Sequence, residues 1–145
     1  MRLDEHVQPG TGSTDLFGGL AGFYLFDERS ALFASASYRG TGSNDFGYKY
    51  GNVALANLAY ERKFGERLDT VLELHYRWAR EDRVDASGQL DPNTGGDILY
   101  LTPRVIVGIL GGLVARVAVQ IPVWKSLNGV QKEKPLVNAG LTFVF

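Results

Sequence analysis

From Leu68 to Arg80 the chain reads LDTVLELHYRWAR, and its chemistry repeats every second residue. Leu68, Thr70, Leu72, Leu74, Tyr76 and Trp78 form one row, while Asp69, Val71, Glu73, His75, Arg77 and Ala79 form the other. Alternate side chains of a strand project to opposite faces, so this stretch is a strand with one apolar face and one face carrying four ionisable groups. No segment of the chain carries a helical stripe of comparable clarity.

The same division recurs along the chain. Val105, Val107 and Ile109 share a row, as do Leu113, Ala115, Val117, Val119, Ile121 and Val123 beyond a Gly111-Gly112 turn, against Arg104, Arg116 and Gln120. In NLAYERKF, Leu58, Tyr60 and Phe64 oppose Asn57, Glu61 and Lys63, with Arg62 interrupting the apolar row. In LFASASYR, Leu32, Ala34, Ala36 and Tyr38 oppose Phe33, Ser35, Ser37 and Arg39. The connections alternate too. FDERS (26–30), FGERL (64–68) and LGGL (110–113) are short turns, whereas polar, Gly-rich loops occupy 8–15, 39–49, 80–97 and 125–134. Seven strands are expected near 15–26, 30–39, 48–63, 67–80, 97–110, 113–124 and 135–145, with a weaker first strand within 1–8. The reading is a single all-β domain over 1–145, an antiparallel up-and-down meander of about eight strands.

An alternating meander has two homes. In a water-soluble barrel or sandwich the apolar face is the core. In a membrane barrel that face meets lipid, and the polar face turns inward. Three features favour the membrane. Tyr24, Phe26, Tyr60, Phe64, Tyr76, Trp78 and Phe145 collect near strand ends, as interfacial aromatics do. Tight turns on one side and long loops on the other fit a barrel with its turns in the periplasm. An unpaired apolar edge strand would be an aggregation template in water, and closure removes it. The expected fold is therefore a transmembrane β-barrel in the bacterial outer membrane, with lipid as its first partner.

Composition narrows the classes further. A formal net charge of -1 gives no clustered basic footprint for nucleic acid. The uncharged run VIVGILGGLVA is too short for a membrane helix, which needs roughly 18 to 20 apolar residues. Cysteine is absent, so there are neither disulfides nor thiolate sites. MRLDEHVQPG lacks the apolar centre of a signal peptide. His6 and His75 have no metal-ligand spacing, and GTGS at 10–13 and 40–43 lacks the lysine of a phosphate loop. No enzyme activity, cofactor or metal is expected. DPNTGGD reads as turn-forming Asx and Gly chemistry. Pro103 and Pro122 remove ladder donors and are expected at bulges or kinks.

The final residues, NAGLTFVF, resemble the C-terminal signal of bacterial outer-membrane proteins: Asn138, Gly140, then Phe143 and Phe145. That resemblance implies recognition of the last strand by the barrel-assembly machinery. PGTGSTD, LFASASYRGTGSND, LAYERKF, DPNTGGD, LYLTPRV and VQIPVWKSLNG together resemble the outer-membrane transporter family linked to aromatic-compound (phenol) degradation. Members are generally longer, so the chain resembles their C-terminal portion, either as a complete small barrel or as part of a wider one. The resemblance implies passage of small hydrophobic or aromatic solutes. The inward, lumen-lining set expected from the alternation is Arg39, Asn57, Glu61, Asp69, Glu73, His75, Arg77, Arg104, Arg116, Gln120 and Asn138. About eight strands would leave an interior just filled by such side chains, and a barrel of that size would be a non-conducting scaffold presenting its loops. A wider barrel would leave a passage.

Overall fold

The computed structural model describes residues 13–44, 47–84, 89–91, 94–129 and 132–145. Seven antiparallel strands follow one another in space as in sequence: β1 (Leu16–Asp27), β2 (Ser30–Gly40), β3 (Val53–Phe64), β4 (Leu68–Ala79), β5 (Gly96–Gly108), β6 (Leu113–Leu127) and β7 (Leu136–Phe143). Each strand pairs only with its chain neighbours, and the sheet formed by the described residues is open, with β1 and β7 at its edges. The weak first strand expected within 1–8 lies outside the described residues.

The three expected short turns are present and lie at one end. β1 and β2 are joined through Glu28 and Arg29, β3 and β4 through 65–67, and β5 and β6 through a short 3-10 turn at Leu110–Gly112. Gly111 and Gly112 there have φ of 78° and 80°, a region open to glycine at little cost. The long connections, 41–52, 80–95 and 128–135, all join strand ends on the opposite side.

Four expected boundaries differ by two residues or more: β5 ends at Gly108 rather than near 110, β6 runs on to Leu127 rather than ending near 124, and the start of β3 and the end of β7 also shift. β3 begins at Val53 rather than near 48, because 48–52 fold into the loops: the Thr41 amide and the Arg80 amide both bond to Asn52, and the Gly51 amide bonds to Asp82. β7 ends at Phe143, although the Val144 amide still reaches the Gly112 carbonyl at 2.9 Å. Pro122 lies at a bulge, where Leu99 faces Trp124 but Tyr100 faces Pro122. Pro103 lies opposite Leu72, and the β5–β6 ladder breaks at Thr102 and Pro103.

The register sets the faces. Tyr60 opposes Leu72 and Leu58 opposes Leu74, while Asn57 opposes His75 and Lys63 opposes Asp69. The apolar row therefore runs continuously across β2 to β7, and the polar row across the reverse side. Accessibility is inverted relative to a water-soluble sheet. Leu58, Tyr60, Leu72, Leu74, Val105 and Val107 are exposed, whereas Asn57, Glu61, Glu73, His75 and Arg104 are partly covered. Among the described residues the buried hydrophobic side chains are Ala31, Tyr48, Ala79 and Ile98, too few to form a core beneath so much exposed Leu and Val.

Candidate functional site

The polar face is concave over β4 to β7. It frames a half-open cavity of about 620 Å³ whose lining includes Glu73, His75, Arg104, Arg116, Gln120 and Asn138, six of the eleven residues expected on one face. The other five, Arg39, Asn57, Glu61, Asp69 and Arg77, occupy the same face by register but lie outside that cavity. Arg104 and Glu73 meet through both guanidinium nitrogens, at 3.3 and 3.4 Å, the fork-to-fork geometry of a guanidinium on a carboxylate. Asn57 donates to Ser35 Oγ at 2.9 Å, and the His75 ring lies 6.2 Å from the Tyr100 ring.

The terminal motif divides between the two faces. Asn138 and Gly140 face inward and help line the cavity. A Cβ at Gly140 would lie 3.5 Å from Arg116 Nε, an ordinary contact, and that guanidinium donates to Thr142 Oγ1. Phe143 ends the outer row and packs edge-on against Phe145 at 5.2 Å.

Three phenylalanines absent from the expected inner set share its face. Phe17 opposes Arg39, and Phe23 opposes Phe33 with ring centroids 5.9 Å apart. The inner face therefore changes from apolar at β1 and β2 to ionic at β4 to β7. Phe33 was legible as a member of the Ser35, Ser37 and Arg39 row. β1 offered no such cue, because LFGGLAGFYLF is apolar in both rows.

On the outer face the aromatics form two groups. Toward the short turns, Tyr24, Phe26 and Tyr60 stack edge-on at 5.0 and 6.1 Å, and the Arg62 guanidinium lies 5.5 Å over the Phe64 ring. The arginine that interrupts the apolar row is thus accommodated at its margin, with its charge against a ring face. Toward the long loops lie Tyr38, Tyr76, Trp78 and Trp124, and the Tyr76 hydroxyl donates to Asp97 at 3.0 Å. From Leu68, opposite Phe64, to Trp78 the rise along β4 is roughly 33 Å. Strands tilted near 40°, as in a membrane barrel, would span about 25 Å over that length.

The described residues of the long loops are tied into a cap, and Asp82 is its hub. Its carboxylate accepts from the Tyr48 hydroxyl at 2.7 Å and from the Gly51 amide at 2.6 Å. Its own amide donates to Thr94 Oγ1 at 2.8 Å. Lys49 and Arg83 exchange both backbone bonds, tying the two loops together. Burial and the Asp82 carboxylate together hold the Tyr48 phenol well above its usual range. In DPNTGGD the Asp91 carbonyl accepts from the Thr94 amide and hydroxyl, a turn, while Asn93 lies outside the described residues. Among the described residues no three metal-ligating side chains cluster.

Compared with known proteins, the chain matches no family model, no curated protein and no solved structure.

Proposed function

We propose that the chain is an outer-membrane β-barrel domain for the passage of small hydrophobic or aromatic solutes, related to the transporter family that its segments resemble. The observation that carries this reading is the inverted sheet: the aliphatic face is outward, banded by aromatics, and the ionic face is concave around about 620 Å³. Water would oppose that arrangement, since burying apolar area is the main driving force of folding. Hydrocarbon reverses the preference, and ionic groups then face the axis. The inward phenylalanines Phe17, Phe23 and Phe33 favour an apolar solute over a purely ionic one. In this reading the terminal strand, with Phe143 and Phe145, is what the assembly machinery engages.

Insertion into planar bilayers tests the passage. Discrete conductance steps from the folded protein are expected. Silence from protein shown to be folded and inserted would leave the alternative, a non-conducting barrel that presents the Asp82 cap to a partner.

A further inference from the structure

We propose that the inner face selects small anions, organic carboxylates with an apolar body above all, through a cationic half next to the long loops. The proposal rests on the passage reading. Register places six cationic side chains on the inner face, Arg39, Lys63, Arg77, Arg104, Arg116 and Lys125, against three acidic ones, Glu61, Asp69 and Glu73. The excess is unevenly spread. Glu61 opposes Val71, Asp69 opposes Lys63 and Glu73 opposes Thr102, so all three carboxylates lie on the short-turn side of His75.

On the other side of His75 the inward ionic positions of the strands are Arg77, Arg39 and Lys125, with Lys125 opposite Ile98 and Ile98 opposite Arg77. Among the described loop residues, Glu133 reaches this region, beside the Tyr100 hydroxyl. The Asp82 carboxylate is held by the cap, and the Glu81 carboxylate accepts from Asn128. Arg104 is neutralised by Glu73 at 3.3 Å, deeper in. A solute that has passed the loops therefore meets the strands' cationic positions before their carboxylates, between walls of low dielectric that focus the field. The guanidinium charge is permanent, so this is a property of the lumen rather than of one pH. A carboxylate with an apolar body finds both its partners on one face: the arginines on β2 and β4, and the Phe17, Phe23 and Phe33 rings on β1 and β2.

The test is the reversal potential of single channels under a potassium chloride gradient, repeated with potassium hexanoate. Wild type is expected to prefer the anion roughly threefold or more, the ratio given by a lumen potential of about half a kT. That preference should fall toward one near 1 M salt, where the screening length shrinks to about 3 Å. The Arg39→Gln, Arg77→Gln double variant, shown by circular dichroism to be folded, should conduct with the preference lost. Lys63→Gln, beside Asp69, should leave it nearly unchanged. Conducting wild type that reverses at zero or on the cation side with either salt overturns the selectivity and leaves the passage standing. A silent membrane overturns both. Unchanged selectivity in the double variant overturns the assignment to the cationic half.

Discussion

Replacing Leu72 with arginine separates lipid from water as the medium of the apolar face. Leu72 is about half exposed and lies on β4 between Leu68 at the short-turn end and Trp78 at the other. With a rise of roughly 3.3 Å per residue and a tilt near 40°, it sits about 10 Å from one end of the aromatic-bounded band and about 15 Å from the other. That is near the midplane. An arginine there costs about 2 to 4 kcal/mol in a bilayer. In water a half-exposed leucine exchanged for arginine changes stability by less than about 0.5 kcal/mol. The adjacent residue is the control. Glu73→Gln removes a partly exposed ion pair with Arg104 and should cost no more than about 1 kcal/mol. Reversible denaturant titration in phospholipid vesicles reads both values from shifts in the midpoint at constant slope. The ordering Leu72→Arg well above Glu73→Gln is expected. Equal costs, or a wild-type chain that folds as a monodisperse species without lipid or detergent, would refute the face assignment.

Asp82→Ala removes the acceptor shared by Tyr48 and Gly51, and trypsin should then cut faster at Lys49 and Arg83 while the strand content by circular dichroism is unchanged. Tyr48 keeps its proton in the folded cap at pH values where an ordinary tyrosine, with a pKa of 10.0, has lost it. The unfolded chain therefore binds fewer protons than the folded one above about pH 10, and the stability Tyr48 contributes is complete below that pH and declines progressively as the pH rises from there toward the folded-state value. Tyr48→Phe should remove a late-titrating component of the tyrosinate absorbance. Gly140→Ala places a Cβ at ordinary contact distance from the Arg116 side chain, so folding into detergent should match wild type. A defect confined to assembly in cells would then mark Gly140 as part of the recognised signal, and a defect in both would mark it as a packing residue.

The faces were legible because a period of two survives any error in strand boundaries: all eleven residues expected on one side share it, from Arg39 on β2 to Asn138 on β7. The short turns were legible for a related reason, since Gly65, Gly111 and Gly112 take positive φ where the chain reverses. Other features depend on pairing between distant segments. Nothing in REDR marks Asp82 as the centre of a cap, because its partners Tyr48 and Gly51 are more than thirty residues away. β3 was expected too early for the same reason, as 48–52 alternate like a strand but bond to the loops. β1 carries no contrast between its rows, so only its register with β2 reveals that Phe17 and Phe23 share a face with Arg39. The outer position of Tyr38 was readable from its row. Trp124 needed the bulge at Pro122, which shifts the phase of the end of β6 by one residue.

Strand direction sets a condition on closure that alternation alone does not express. In an up-and-down sheet of seven strands, β1 and β7 run the same way. Joining these two edges directly would make a parallel pair, and two copies in one membrane orientation would meet as β7 against β1, parallel again. An antiparallel wall therefore needs an odd number of further strands between β1 and β7. One such strand gives the plugged interior of a small barrel, in which Arg104, Glu73 and their neighbours fill the axis. Five or more would hold the same residues apart around water. The edges indicate how demanding that condition is. Leu16, Phe17, Leu20, Phe23, Tyr24 and Leu25 leave β1 apolar on both faces beside a row of open backbone groups. In hydrocarbon each unsatisfied group costs several kcal/mol. The β1 edge is thus where added strands stabilise most, and the number entering there decides between a scaffold and a passage.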